Sequence, residues 1–127
     1  MDESKPLFVQ IAEMVEDQIV DGTLREEDKA PSTNEIAAFA RINPATAAKG
    51  VNMLVDNGIL YKRRGIGMFV APGARDRVLG ERKAAFADTY VAPLIAEARK
   101  LGLTADDVTQ LITERATQTS EPRPKDI

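Results

Sequence analysis

Two short stretches of this 127-residue chain carry side chains suited to holding a polyanion. In Lys62-Arg63-Arg64-Gly65-Ile66-Gly67, three consecutive cations precede a pair of spaced glycines. The cations can neutralise phosphate charge. Gly65 and Gly67 admit positive φ, which lets backbone N–H groups approach a sugar-phosphate chain. The second stretch is Asn43-Pro44-Ala45-Thr46-Ala47-Ala48-Lys49. Thr46 and Lys49 stand three apart, so any helix formed there shows both on one face. A lysine can donate to guanine O6 or N7, and a threonine methyl can touch a thymine. Asn43 and Ala45 lie at the start of the same face, while Ala47 and Ala48 add only methyl surface. Ser32 and Asn34 open a further helical stretch, whose N-terminal amides form a phosphate-sized anion site.

Other chemistries find little to work with. The chain has no histidine and no cysteine. That removes the usual nucleophile–base pairs and the soft metal ligands. Carboxylates are plentiful, but they are scattered, with no metal-ligand spacing and no G-x-S-x-G run. The G-x-G at Gly65 is followed by strand-like Met68-Phe69-Val70, whereas a dinucleotide loop leads into a helix. No enzyme, cofactor or metal is implied; a small-molecule effector is left open.

Net charge is −3, an unpromising value for a nucleic-acid partner until its distribution is read. Residues 1–40 carry Lys5, Arg25 and Lys29 against ten acids. Residues 41–70 carry Arg41, Lys49, Lys62, Arg63 and Arg64 against Asp56 alone. A basic segment inside an acidic chain is the footprint of a localised phosphate-binding face. No apolar run approaches a membrane span, and acids occupy the positions where a signal peptide carries bases. The expected location is the cytoplasm, with no membrane partner.

The elements that must position these residues can be read from periodicity and caps. Leu7, Ile11, Met14, Val15 and Ile19 predict a helix over about 6–21, capped by Ser4 and ended by Asp21-Gly22. Ser32-x-x-Glu35 is a capping box for a short second helix through Phe39. Asn43 as N-cap and Pro44 at the first position start a third helix, which stops at Asn57-Gly58. Two such helices joined by a tight turn form a helix-turn-helix. Ile59-Leu60-Tyr61 and Met68-Phe69-Val70 then read as strands around a basic turn over residues 62–67, making a wing.

From Arg75 the pattern is helical again. Leu79, Phe86, Tyr90, Leu94 and Leu101 form an apolar stripe, with Pro93 expected to kink or divide it. Phe86, Tyr90 and Leu94 could line a ligand pocket; at this spacing a core or dimer interface is the commoner use. Thr104 and Asp107 cap a last short helix carrying Val108, Leu111 and Ile112, and the tail from Ser120 reads as disordered.

These residues also spell a family. The run Ala30-Pro31-Ser32-Thr33-Asn34-Glu35-Ile36-Ala37 resembles the opening of the second helix in GntR-family regulators. Ile42-Asn43-Pro44-Ala45-Thr46 is similar to the start of the recognition helix in the YtrA-like branch, and Leu54–Tyr61 and Arg64–Val70 resemble the family's wing. The likeness runs in order over residues 6–71. It departs at Asn34 and Lys49, where many relatives carry arginine. Only 56 residues follow Ala71, too few for the large ligand-sensing domain of many relatives, whereas the YtrA-like branch is similar in ending with a short helical dimerisation segment.

The expected fold is mainly α with a small β-hairpin wing. A winged helix-turn-helix would occupy residues 1–72, a helical dimerisation arm 73–118, and a disordered tail 119–127. The resemblance implies a homodimer that binds a pseudo-palindromic double-stranded operator, as a repressor. Helix 44–57 would enter the major groove and wing 61–70 would lie on backbone or minor groove. The expected DNA contacts are Ser32, Asn34, Asn43, Ala45, Thr46, Lys49, Lys62, Arg63, Arg64, Gly65 and Gly67. A winged helix that has exchanged DNA for a protein partner is the alternative.

Overall fold

A computed structural model describes residues 4–119. The tail expected from Ser120 onward lies outside them. The elements run α1 (Leu7–Val20), α2 (Thr33–Ala40), α3 (Pro44–Asp56), β1 (Leu60–Arg63), β2 (Gly67–Val70), α4 (Ala74–Phe86), a π-helical turn (Ala87–Val91), α5 (Ala92–Lys100) and α6 (Ala105–Gln118). The chain forms two compact units that divide between Arg82 and Lys83. The fold class is the expected one: mainly helical, with one two-stranded hairpin.

In the first unit, α1 buries Ile11, Val15 and Ile19, the four-residue repeat of its apolar stripe. They meet Ile36 and Ala37 of α2, then Ala47, Val51 and Leu54 of α3. Ile59, Leu60, Val70, Ala74 and Val78 close the same core. Ala47 therefore faces inward and is fully buried, contrary to its expected place on the exposed methyl surface. The start of α1 also differs: the N-cap is Pro6, and no side chain caps the helix. The Pro6 carbonyl instead accepts from the amides of Val9 and Gln10.

β1 and β2 pair antiparallel, Leu60 opposite Val70 and Arg63 opposite Gly67. Lys62 and Arg63 thus belong to a strand, and the turn is shorter than the expected 62–67. The reason is local: Gly65 (φ 76°) supplies the left-handed residue that reverses the chain within Arg64-Gly65-Ile66, and Gly67 (φ 141°) opens β2 at a positive φ. A polar segment backs the hairpin, with a bridge between Lys29 and Phe69 and bonds from Ala30 N–H to the Met68 carbonyl and Val70 N–H to the Asp28 carbonyl.

α4 has weak amphipathic character, and its hold on the unit is specific. Ala74 and Val78 are buried. One turn further, Arg82 reaches α1, its Nη1 2.8 Å from Asp17 Oδ1 and its Nη2 3.3 Å from Glu16 Oε1. Burial pushes the Glu16 carboxyl above its ordinary pKa, and Arg82 opposes that shift.

In the second unit, Pro93 does divide the helical run, and the division takes the form of a π turn. The Ala92 amide bonds to the Ala87 carbonyl five residues back, and α5 starts with Pro93 in its first turn. Gly102 ends α5 at φ 74°. The Thr104–Asp107 capping box forms as expected, Asp107 N–H donating to Thr104 Oγ1 at 3.1 Å and Thr104 N–H to Asp107 Oδ2 at 2.9 Å. The helix it starts is 14 residues long rather than short. Thr109, Thr113 and Thr117 each donate a hydroxyl to the carbonyl four residues back, so their polar groups are satisfied within the helix.

Candidate nucleic-acid interface

The two capped helices are set by short-range chemistry. Ser32 Oγ accepts from Glu35 N–H at 3.0 Å, and Glu35 Oε1 accepts from Ser32 N–H at 2.8 Å. The amide and hydroxyl of Ser32 hold the Glu35 carboxyl below its usual pKa. α2 ends at Arg41 in the left-handed conformation (φ 57°), and its N–H reaches back to Ala37. Asn43 Oδ1 then accepts from Ala45 N–H at 2.7 Å and starts α3, with Pro44 where no amide is needed. Arg41-Ile42-Asn43 is thus the turn of a helix-turn-helix.

On α3 the exposed face carries Ala45, Lys49, Asn52 and Asp56, while Thr46 is half-buried. Ala45, Ala48, Lys49, Asn52, Met53 and Asp56 line a shallow depression together with Phe8 of α1. Lys49 does not wave freely: its Nζ sits 4.1 Å from the Phe8 ring centroid, a cation–π contact that fixes where the charge stands. Ser32, Asn34 and Asn43 are all exposed at helix starts.

Lys62, Arg63 and Arg64 are exposed on the hairpin, Lys62 and Arg63 as consecutive residues of β1 and Arg64 in its turn. Lys29 joins them, because its stem covers Gly67: a Cβ on Gly67 would lie 2.9 Å from Lys29 Cε. Arg63 is the most engaged. Its guanidinium stacks 4.3 Å from the Phe69 ring centroid, and Nη2 donates to Tyr61 Oη at 2.8 Å. The Tyr61 hydroxyl in turn donates to Glu27, which raises the pKa of the phenol. Ile66 is 58% exposed at the hairpin tip between the two glycines.

Residues 7–70, the stretch that builds this helix-turn-helix and hairpin, match the family model described as bacterial regulatory proteins of the gntR family. The chain belongs to the GntR family. It is 30% identical over 105 residues to the HTH-type transcriptional regulator YhcF of Bacillus subtilis, covering 83% of this chain and 85% of that protein. It is 27% identical over 111 residues to the HTH-type transcriptional repressor YtrA of the same organism, covering 87% and 85%. The fold is similar to the crystal structure of a GntR-family protein from Bacteroides thetaiotaomicron, with a TM-score of 0.77 at 28% identity over 91% of this chain and 100% of that one. The YtrA-like resemblance read from the sequence therefore holds, and the chain is a DNA-binding transcription regulator rather than an enzyme.

For a GntR-family regulator, sequence reasoning passed over several residues on this surface. Asn52 had a signal, since it falls three residues after Lys49. Tyr61 had one too, standing two residues before Arg63 on the same strand; Phe8, Lys29 and Glu27 had none, because each acts on a residue far away in the chain. The arm residues Phe86 and Tyr90 stack at 5.4 Å between ring centroids and are 58% and 63% exposed. Leu94 and Leu101 line an apolar groove of about 540 Å3 between α5 and α6, with Val108, Leu111 and Ile112 opposite. Leu79, in the first unit, is exposed on α4. Among the described residues no helix is long and apolar enough to cross a membrane, and no acidic cluster could hold a metal ion.

Proposed function

We propose that this regulator binds a pseudo-palindromic operator as a homodimer in the cytoplasm and represses transcription. α3 enters the major groove, presenting Asn43, Ala45, Thr46, Lys49 and the added Asn52. The wing lays Lys62, Arg63 and Arg64 on the backbone or minor groove, with Gly65 and Gly67 giving close approach. Ser32 and Asn34 hold a phosphate at the start of α2. The observation that carries this reading is the composition of the exposed α3 face: the small Ala45, a positioned cation and an amide over its first turns, with the one acid, Asp56, at its far end, next to a hairpin bearing three cations. A protein-docking winged helix would show large apolar side chains on that face. Repression is supported by the likeness to the repressor YtrA. The second copy is supported by Phe86, Tyr90, Leu94 and Leu101, exposed apolar groups that a partner arm would cover.

The test pairs operator, mapped by footprinting upstream of the gene, with a scrambled duplex at one fixed salt. Thr46→Ala and Lys49→Ala should each weaken operator binding by about 5- to 150-fold, the equivalent of about 1–3 kcal/mol per base contact, and random DNA less. Equal losses on both duplexes would make these residues backbone contacts. No loss on either would reject the groove assignment and favour the protein-docking reading.

A further inference from the structure

The acidic loop between α1 and α2 sends one carboxylate toward the wing. Asp21 accepts from Thr23 N–H at 2.8 Å, Asp28 from Arg25 N–H at 2.8 Å and Glu26 from Gly73 N–H at 2.6 Å. Those three acids serve the backbone. Glu27 instead accepts from the Tyr61 hydroxyl and stands 4.0 Å from Arg63 Nη2. Its backbone is left-handed, at φ 69°, a conformation unfavourable for a residue with a Cβ. The Glu27 amide, bonded to the Val70 carbonyl at 2.8 Å, ties that conformation to the hairpin. The loop therefore accepts backbone strain where it delivers a carboxylate to the wing's arginine.

We propose that Glu27 is a built-in competitor for Arg63 that tempers the protein's affinity for DNA backbone. The inference rests on the reading of Arg63 as a phosphate contact. A carboxylate and a phosphate offer guanidinium the same kind of acceptor, so taking up a phosphate means giving up Glu27. In loose complexes with non-cognate DNA, Arg63 stays with Glu27 and Tyr61, and that phosphate contact is forgone. On the operator, base contacts hold the wing close enough for the exchange. Glu27 also remains beside the phosphate as a like charge, which lowers affinity further.

The experiment measures binding of a short fluorescent duplex of scrambled sequence, over a range of salt, to wild type, Glu27→Gln, Arg63→Gln and the double variant. Glu27→Gln should tighten binding by about two- to fivefold per subunit, the range of an exposed ion pair. Its slope of log K against log salt should steepen by up to about 0.9 per subunit as Arg63 becomes available. The gain should shrink in the Arg63→Gln background to the part that like-charge repulsion alone supplies. Weaker binding by Glu27→Gln would overturn the proposal and make Glu27 a support for Arg63. An undiminished gain without Arg63 would also overturn it, leaving only general repulsion. The underlying reading is checked separately on the operator, where Arg63→Gln alone must weaken binding; if it does not, Arg63 is no DNA contact and the competitor has nothing to compete for.

Discussion

Gly50 of α3 lies against Phe8 of α1 so closely that a Cβ on the glycine would sit 2.7 Å from the Phe8 carbonyl oxygen. The next nearest atoms, Ile11 Cβ and Cγ2, would be 3.1 Å away. These are backbone and a buried branched side chain, neither of which can give way cheaply. The approach brings α1 alongside the helix that bears Lys49, and the same contact sets the Phe8 ring under the Lys49 ammonium.

Gly50→Ala should therefore destabilise the protein by about 1–3 kcal/mol, as overpacked cores do. Gly80 is the control, since a Cβ there meets nothing within 4 Å on an exposed turn of α4. Gly80→Ala should stabilise by up to about 1 kcal/mol through helix propensity. Urea unfolding followed by circular dichroism reads both. A Gly50→Ala variant as stable as wild type or more so would mean that the α1–α3 contact yields more easily than its geometry says.

The capping box of α2 should show in the acid limb of stability. Glu35 is held below its ordinary carboxylate pKa by the Ser32 amide and hydroxyl. Its contribution is thus fully present above the unfolded value, near 4.5, and disappears as pH falls through the lower folded value. The stability difference between wild type and Glu35→Gln should be constant near neutrality and shrink below about pH 4.5. A difference unchanged down to about pH 3 would show that the carboxylate does not serve the cap.

On the operator, the wing should supply salt-dependent affinity through phosphate contacts and not through base contacts. The double variant Arg63→Ala, Arg64→Ala removes up to two phosphate contacts per subunit. The slope of log K against log salt should flatten by at most about 3–4 units for a dimer, at about 0.9 per phosphate. An unchanged slope would return the wing to ordinary solvated surface.

Phe86→Arg with Tyr90→Arg tests the second copy. Both rings are more than half exposed, so the substitutions leave the fold of one chain intact. Sedimentation should shift to monomer, and operator affinity should fall by about 10²- to 10⁴-fold as linked half-site binding is lost. A dimer that persists would place the interface elsewhere.

What was legible in the sequence was what is decided within a few residues. Ser32 and Glu35, Asn43 and Pro44, and Thr104 and Asp107 announce helix starts because their partners sit at fixed short spacings. The stripe of Ile11, Val15 and Ile19 names the buried face of α1 for the same reason. The partner of Arg63 was not legible. Glu27 lies 34 residues before Tyr61 and joins it only because the loop backs onto β2, a pairing that leaves no periodic trace. Ala47 was misplaced because an alanine declares no preference for either face. Ser4 looked like a cap by type alone, yet the chain turns into the helix at Pro6.

The π turn at Ala87–Val91 has a consequence for phase. An α-helix advances about 100° with each residue, so a turn holding one residue more than its neighbours takes up an offset in angle that the added residue would otherwise impose. Tyr90 sits inside that offset, Phe86 before it and Leu94 after it. Winding the same residues into ordinary α turns, with none removed, would rotate every side chain from Ala92 onward by about 100° relative to Phe86. The composition of the arm would be unchanged, yet the apolar residues on either side of Pro93 would point in different directions. A relative that lacks one residue there and winds as plain α-helix would keep the same faces, because the π turn absorbs the extra residue within about one turn.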